Sequence, residues 1–257
     1  MLIPARQSRI KELLAERGMG DHDWLAAELK VSPSTIRRDL EMLEQAGLVQ
    51  RTHGGVIWVG DKDKPPGTRP YAFDQRMGYQ IDAKRKIAKL AATLVQAGET
   101  VLVDGGTTTY YLAEELTDRP MQLVTNSLPI SNLFINNDKV ELILTGGLMY
   151  PRYGVLLGPM AEGSLSTIHT KTLFMSVAGI HEGRLYNQNM LLVQAERKMM
   201  QQAQQTVLLV DSTKFGQQAL NELCGLEEID ILVTDSDISQ ADRKKVESSG
   251  CKLIVAG

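Results

Sequence analysis

The chain has no uninterrupted run of 18 or more apolar residues, so no segment reads as a membrane-spanning helix. Its N-terminus, "MLIPARQSRIKELLAERG", interleaves charged and apolar residues at helical spacing. It lacks the apolar centre and small-residue cleavage site of a secretory signal. Cysteine is scarce. Cys224 and Cys251 lie far from the four histidines in sequence, so no metal-ligand spacing arises and the pair reads as two buried thiols in a reducing, cytoplasmic setting. Net charge is −3, so no global basic field draws the chain to nucleic acid, and any such contact must come from a local patch. Two nucleotide-binding loops are also missing. The pattern G-x-x-x-x-G-K-[ST] occurs nowhere, and no G-x-G-x-x-G opens the first strand–helix junction, which excludes a P-loop and leaves a dinucleotide fold without support. Neither a metal nor a cofactor is expected.

What is present falls into two parts with different patterning. Residues 1–59 read as three helices and a hairpin. The first helix runs from Ala5 to Arg17 with Ile10, Leu13 and Leu14 on one face, and the second from His22 to Lys30 with Trp24, Leu25 and Leu29 inward. In "KVSPSTIRRDLEMLEQAGLV", Ser32 suits an N-cap and Pro33 the first helical position. Ile36, Leu40 and Leu43 form the buried stripe, and Gly47 ends the helix. "LVQRTHGGVIWV" then reads as two short strands turning at His53-Gly54-Gly55. Residues 60–73, opening with "GDKDKPPGTRP", form a charged linker rich in proline and glycine. From residue 74 to 257 a long helix, Asp74 to Gln96, is followed by apolar strands alternating with helical segments: "TVLVD", "QLVTN", "VELILTGG", "KTLFMSV", "TVLLVD", "IDILVTD" and "KLIVAG". Near-continuous apolar strands separated by helices predict an α/β domain with a doubly wound parallel sheet.

A three-helix unit followed by a two-stranded wing predicts a winged helix-turn-helix. Ser34, Arg37, Arg38 and Glu41 face away from the apolar stripe, and Thr35 flanks it. Hydroxyls and arginines at the start of such a helix suit guanine edges and phosphates in a major groove, and Arg51 and His53 on the wing suit the flanking backbone. The alternative is a helical interaction domain whose arginines are a solvated face, since acidic and basic side chains balance over residues 1–60. The run "VSPSTIRRDLEMLEQAGLVQRTHGG" resembles the signature of the DeoR family of bacterial transcriptional repressors of sugar metabolism. That resemblance implies that Ser34, Thr35, Arg37 and Arg38 lie at operator DNA.

In "VLVDGGTTTYYLAEEL" a strand delivers Asp104, Gly105 and Gly106 permit a tight turn, and Thr107, Thr108 and Thr109 open a helix. Free backbone N–H groups, a positive helix end and hydroxyls at such a junction can hold an anion. Alternatively the glycines make only a turn and the threonines only a cap. Other strand ends are similarly furnished, with Asn126 and Ser127 after the second strand, Gly146 and Gly147 with Arg152 after the third, and Asp211, Ser212 and Lys214 further on. In an open parallel sheet these carboxyl ends line one crevice. That chemistry suits a sugar phosphate, its phosphate on the threonine turn with Lys214 or Arg152, its hydroxyls on Asp104 and Asn126.

The resemblance to the DeoR family extends through "FDQRMGYQIDAKRKIAKLA", "DGGTTT", "TNS", "TGG" and "DSTKFG" to nearly the whole chain. It implies an effector-binding domain that resembles sugar-phosphate isomerases, with effector contacts at Asp104, Gly106, Thr107, Thr108, Asn126, Ser127, Gly147 and Lys214. Because one winged helix rarely supplies enough contacts for a specific operator, a homo-oligomer, dimer or tetramer, on double-stranded operator DNA is expected. One segment departs from the family. Ala178-Gly179 stands where Asp-Gly or Asn-Gly is usual, and "IHEGRLYNQN" follows. An isomerase or deaminase-like enzyme would need a general base and an oxyanion partner, for which Asp104, Asp211, His181, Glu182 and Lys214 are candidates. The fused DNA-binding part favours sensing over catalysis. The expected function is a repressor of a carbohydrate-catabolism operon released by a phosphorylated sugar, with use of that sugar as co-repressor or activating signal as the alternative.

Overall fold

A computed structural model of the chain describes residues 3–17, 19–45, 47–52, 55–58 and 73–257. It divides into two compact units between Tyr79 and Gln80. The linker expected over 60–73, except for its last residue, and His53 at the wing tip lie outside the described residues.

The first unit contains α1 (Ile3–Arg17), β1 (Met19–Gly20), α2 (His22–Leu29), α3 (Pro33–Gln45), β2 (Val49–Thr52) and β3 (Gly55–Trp58). Ile10, Leu14, Leu25, Ile36 and Leu40 make its core. The starts of α2 and α3 have local causes. Asp21 Oδ1 accepts the Trp24 N–H at 2.7 Å ahead of α2, and Ser32 Oγ accepts the Thr35 N–H at 3.3 Å ahead of α3. After α3, Gly47 adopts φ 70° and the Leu48 N–H reaches back to the Leu43 carbonyl at 2.9 Å, which closes the helix. The wing has a third strand that periodicity does not reveal. The two-residue β1 pairs antiparallel with β3, giving the order β1-β3-β2. A buried pair unforeseen from the sequence joins α1 to α3. Arg6 Nε and Nη2 donate to the two carboxylate oxygens of Asp39 at 2.5 and 3.1 Å.

The single helix expected over Asp74–Gln96 is two, α4 (Phe73–Met77) and α5 (Ile81–Ala92). Between them Gln80 takes φ 51°, a left-handed conformation that no α-helix continues through.

The seven strands legible as apolar runs are β4 (Thr100–Val103), β5 (Met121–Thr125), β6 (Val140–Leu144), β9 (Thr170–Met175), β12 (Ala203–Leu209), β14 (Ile231–Asp235) and β15 (Lys252–Ala256). They form one all-parallel sheet in the order β15-β14-β12-β9-β4-β5-β6. The chain winds outward from β4 to β6, then returns to β9 on the other side of β4 and continues to β15. The strand order therefore reverses between β4 and β9. Helices α5, α6 (Thr107–Leu116) and α7 (Leu128–Phe134) pack as one group, and α8 (Pro159–Leu165) with α9 (Met190–Gln202) as a second. Helix α10 (Gln240–Ser248) packs on β15. Right-handed crossovers set such groups on opposite faces. The fold is thus the expected doubly wound sheet, with two additions. A hairpin, β7 (Leu148–Tyr150) and β8 (Val155–Leu157), follows β6. An antiparallel sheet, ordered β10-β11-β13, joins β10 (Gly179–His181), β11 (Arg184–Asn187) and β13 (Asn221–Gly225).

Candidate functional site

Helix α3 buries Ile36, Leu40 and Leu43 and exposes Ser34, Arg37 and Arg38, with Thr35 half-buried. Ser32 Oγ holds the hydroxyls of Ser34 and Thr35 at 2.9 and 2.8 Å, so both sit at the first turn of the helix beside its free N–H groups. The arginine side chains follow on the same exposed surface, where the sequence put them. Arg51 belongs to β2.

In the second unit the turn after β4 lies at the reversal of strand order, where open parallel sheets form a ligand crevice at their carboxyl ends. The Asp104 N–H is fixed by the Phe174 carbonyl of β9 at 2.9 Å, which ties the two central strands together at this point. Thr109 holds the turn from within. Its hydroxyl oxygen accepts the Gly106 N–H at 2.8 Å and lies 2.6 Å from the Asp104 carbonyl, to which it donates. Helix α6 makes its first intrahelical bond from the Tyr110 N–H to the Gly106 carbonyl at 3.0 Å. The N–H groups of Thr107 and Thr108 precede that bond and have no partner inside the helix, the arrangement that receives an anion.

The protein's own packing requires a glycine at 105 and crowds the position at 106. A Cβ on Gly105 would stand 2.1 Å from Val155 Cγ1 of β8, and one on Gly106 3.1 Å from Ser176 Cβ beyond β9. Gly105 also lies against Ser127 and the Asn126 amide. Asn126 and Ser127 are buried after β5. Asn126 Nδ2 donates to the Leu156 carbonyl at 3.3 Å while the Asn126 backbone carbonyl accepts the Leu156 N–H at 2.8 Å. The β7–β8 hairpin thus forms one wall of the crevice, and Asp104 to Thr108, Asn126 and Ser127 come together beside it.

The remaining sequence candidates are more dispersed. Gly147, at φ 120°, is pressed beneath β8, where a Cβ would lie 2.8 Å from the Leu157 carbonyl; Gly146, at φ 71°, faces open space. Arg152 is exposed at the turn of the β7–β8 hairpin. Lys214 ends the short 3₁₀ turn after β12, whose start Asp211 caps through the Thr213 N–H. The chain just beyond it runs along β10, with the Gly216 N–H on the Ile180 carbonyl at 2.8 Å. Glu182, at φ 49°, and Gly183, at φ 77°, form the two-residue turn of the β10–β11 hairpin; His181 ends β10 opposite Arg184, and the Glu182 side chain is exposed.

One buried acid at the crevice is absent from the sequence reading. Glu196 of α9 follows Leu192 by four and precedes Met199 by three, squarely on the apolar stripe. A charged residue on a core stripe was the available signal. Asn187 Nδ2 donates to Glu196 Oε1 at 2.6 Å, and Asn187 Oδ1 accepts the Ala178 N–H at 2.8 Å. Burial, then the nearby charge of Asp104, push the Glu196 carboxyl well above the usual carboxylate range. The atypical Ala178–Asn187 segment is the support for this acid.

No described helix is long and apolar enough to cross a membrane. Comparison with known proteins matches residues 6–61 to the DeoR-like helix-turn-helix domain and residues 79–236 to the DeoR C terminal sensor domain. The chain is 31% identical over 98% of its length to the HTH-type transcriptional regulator YulB of Bacillus subtilis, covering 96% of it. It is 32% identical over 97% of its length to the L-fucose operon activator of Haemophilus influenzae, covering 99% of that protein. It is also 30% identical to the HTH-type transcriptional regulator UlaR of Shigella dysenteriae, over 97% of each chain. Among solved structures, ribose 5-phosphate isomerase A of Methanocaldococcus jannaschii overlays with a TM-score of 0.40 at 19% identity, covering 52% of this chain and 54% of that one. The helix-turn-helix, the doubly wound sensor sheet and relatives matched along nearly their full length lead to one conclusion: this chain is a DNA-binding transcriptional regulator and belongs to the DeoR family.

Proposed function

We propose that the regulator represses a carbohydrate-catabolism operon and is released from its operator by a phosphorylated sugar. The observation that carries this reading is a phosphate-type turn at the reversal of a parallel sheet, in a chain that also bears an exposed arginine face on α3. The phosphate sits on the N–H groups of Thr107 and Thr108 and is supplemented by Lys214 or Arg152. Asp104 and Asn126 bind hydroxyls, and Gly105, Gly106, Ser127, Gly146 and Gly147 shape the walls. Ser34, Thr35, Arg37 and Arg38 contact the operator from α3, with Arg51 and His53 on the wing. The functional boundaries are a DNA-binding part over 1–59, a linker over 60–73 and a sensor over 74–257. The chain acts in the cytoplasm as a dimer or tetramer, because one winged helix reads too few base pairs for a specific site and paired half-sites need paired recognition helices. The crevice senses and does not catalyse; the fused DNA-binding part and the regulator relatives support this. An operator gel shift with a panel of sugar phosphates tests the reading. Arg37→Ala or Arg38→Ala is expected to weaken operator binding by about 1–3 kcal/mol. Thr107→Glu is expected to leave operator binding intact and abolish release. Turnover of a panel member without any effect on DNA would count against sensing. The name of the Haemophilus relative, an operon activator, favours a second reading in which the sugar-bound form activates, and the same gel shift separates the two by the sign of the effect.

A further inference from the structure

Glu196 combines three properties that a purely structural acid does not need. Its residue is 3% exposed, its Oε2 has no hydrogen-bond partner, and it lies close enough to Asp104 to feel that carboxylate. Its other oxygen is held by a relay, Ala178 N–H to Asn187 to Glu196 Oε1, that starts just past the end of β9. Ala178 and Asp104 thus follow the two central strands on either side of the reversal in strand order. A buried polar oxygen without a partner costs stability, and such groups persist where something else satisfies them.

We propose that Glu196 is a specificity-determining residue of the crevice, donating a hydrogen bond from Oε2 to an oxygen of the polyol chain of the bound phosphosugar. This rests on the phosphosugar reading above. Asn187 donates to Oε1, which makes Oε1 the acceptor and leaves Oε2 to carry the proton of the neutral acid. Beside it Asp104 is an acceptor. Donor and acceptor next to each other match a sugar hydroxyl, which offers both functions, and neither group alone distinguishes a hydroxyl from a bare oxygen or an amine. The segment that departs from the family pattern is then the frame that fixes this donor, not a contact surface in its own right.

The donor assignment makes an unusual demand on variants. In Glu196→Gln the amide oxygen accepts from Asn187 and Nε2 donates toward the ligand, so the neutral acid is reproduced atom for atom. Glu196→Met keeps the length and loses the donor. Isothermal titration of parent, Glu196→Gln and Glu196→Met with glucose 6-phosphate, fructose 6-phosphate, fructose 1-phosphate, ribose 5-phosphate, glycerol 3-phosphate and inorganic phosphate tests the assignment, with operator affinity and melting temperature as controls for folding. The best-binding sugar phosphate is expected to bind Glu196→Gln like the parent and Glu196→Met about five- to tenfold more weakly. Inorganic phosphate is expected to bind all three alike. Equal sugar-phosphate affinity in Glu196→Met overturns the proposal and reduces Glu196 to an anchor for β11. A Glu196→Gln affinity as low as that of Glu196→Met overturns the donor role. A parent that binds no sugar phosphate of the panel overturns the phosphosugar reading itself, and the proposal with it.

Discussion

Burying a carboxyl group is costly, and the chain does so at Asp39 and Glu196 by different means. At Asp39 the carboxylate oxygens are met by two nitrogen donors of Arg6, an arrangement that fixes α1 against α3. Glu196 has only an amide donor and a negative neighbour, so it keeps its proton instead. A carboxyl whose folded pKa is raised contributes most to stability below its unfolded value, and that contribution is lost as pH rises through the folded value. The parent should therefore lose stability as pH rises from about 4.5, the unfolded value, toward alkaline conditions. Glu196→Gln removes this dependence. Thermal melts are expected to show Glu196→Gln more stable than the parent at pH 8 and indistinguishable at pH 4.5. A parallel pH dependence in both proteins would assign the slope to other groups. The two cysteines need no such account: burial pushes Cys224 up to about 12 and Cys251 up to about 11, so both are inert thiols at neutral pH.

At the level of elements, the β7–β8 hairpin and the turn after β4 are built against each other. The 2.1 Å clash that any Cβ at Gly105 would make with Val155 has a direct consequence. Gly105→Ala is expected to cost about 1–3 kcal/mol by overpacking, and Val155→Ala in the same chain to restore most of it. Urea denaturation of the single and double variants measures this, and no recovery in the double would mean that Gly105 is needed for another reason. The same elements show how far the sequence reaches. All seven strands of the main sheet are legible as apolar runs, and the inner ones are covered on both faces, as the buried "VLL" that ends β12 illustrates. The hairpin β7–β8 is not legible. Leu148 and Met149 are exposed while Val155 to Leu157 are buried, so neither periodicity is sustained over three residues. Strand β1 is two residues long and exists only because β3 lies beside it. The break at Gln80 goes unread because its left-handed backbone is borne by a residue that ordinarily favours helix. At the candidate site, the turn from Asp104 to Thr108 is legible because paired glycines followed by threonines mark a junction between a strand and a helix. Glu196 is not, because a glutamate in an amphipathic helix is ordinarily read as a solvated one.

For the whole molecule, regulation is a coupling free energy between two sites. If a sugar phosphate weakens operator binding by a given factor, operator must weaken sugar-phosphate binding by the same factor, and about 1–3 kcal/mol is the usual range. Calorimetric titration with and without operator duplex is expected to show that reciprocity. Equal affinity in both titrations would exclude a switch at the level of binding. The strand order that creates the crevice also dictates when the crevice comes into being. Strands β4 to β6 pair with neighbours close in sequence, but the second edge of β4, at Val101 to Val103, pairs with Thr172 to Phe174. During synthesis the central strand therefore waits, its edge unpaired, while the intervening chain leaves the ribosome, a period in which an apolar strand edge is open to self-association. The threonine turn exists as sequence from the start, yet its neighbours across the strand reversal arrive only with β9 and α9, so the sensor unit is completed long after the DNA-binding part has been made.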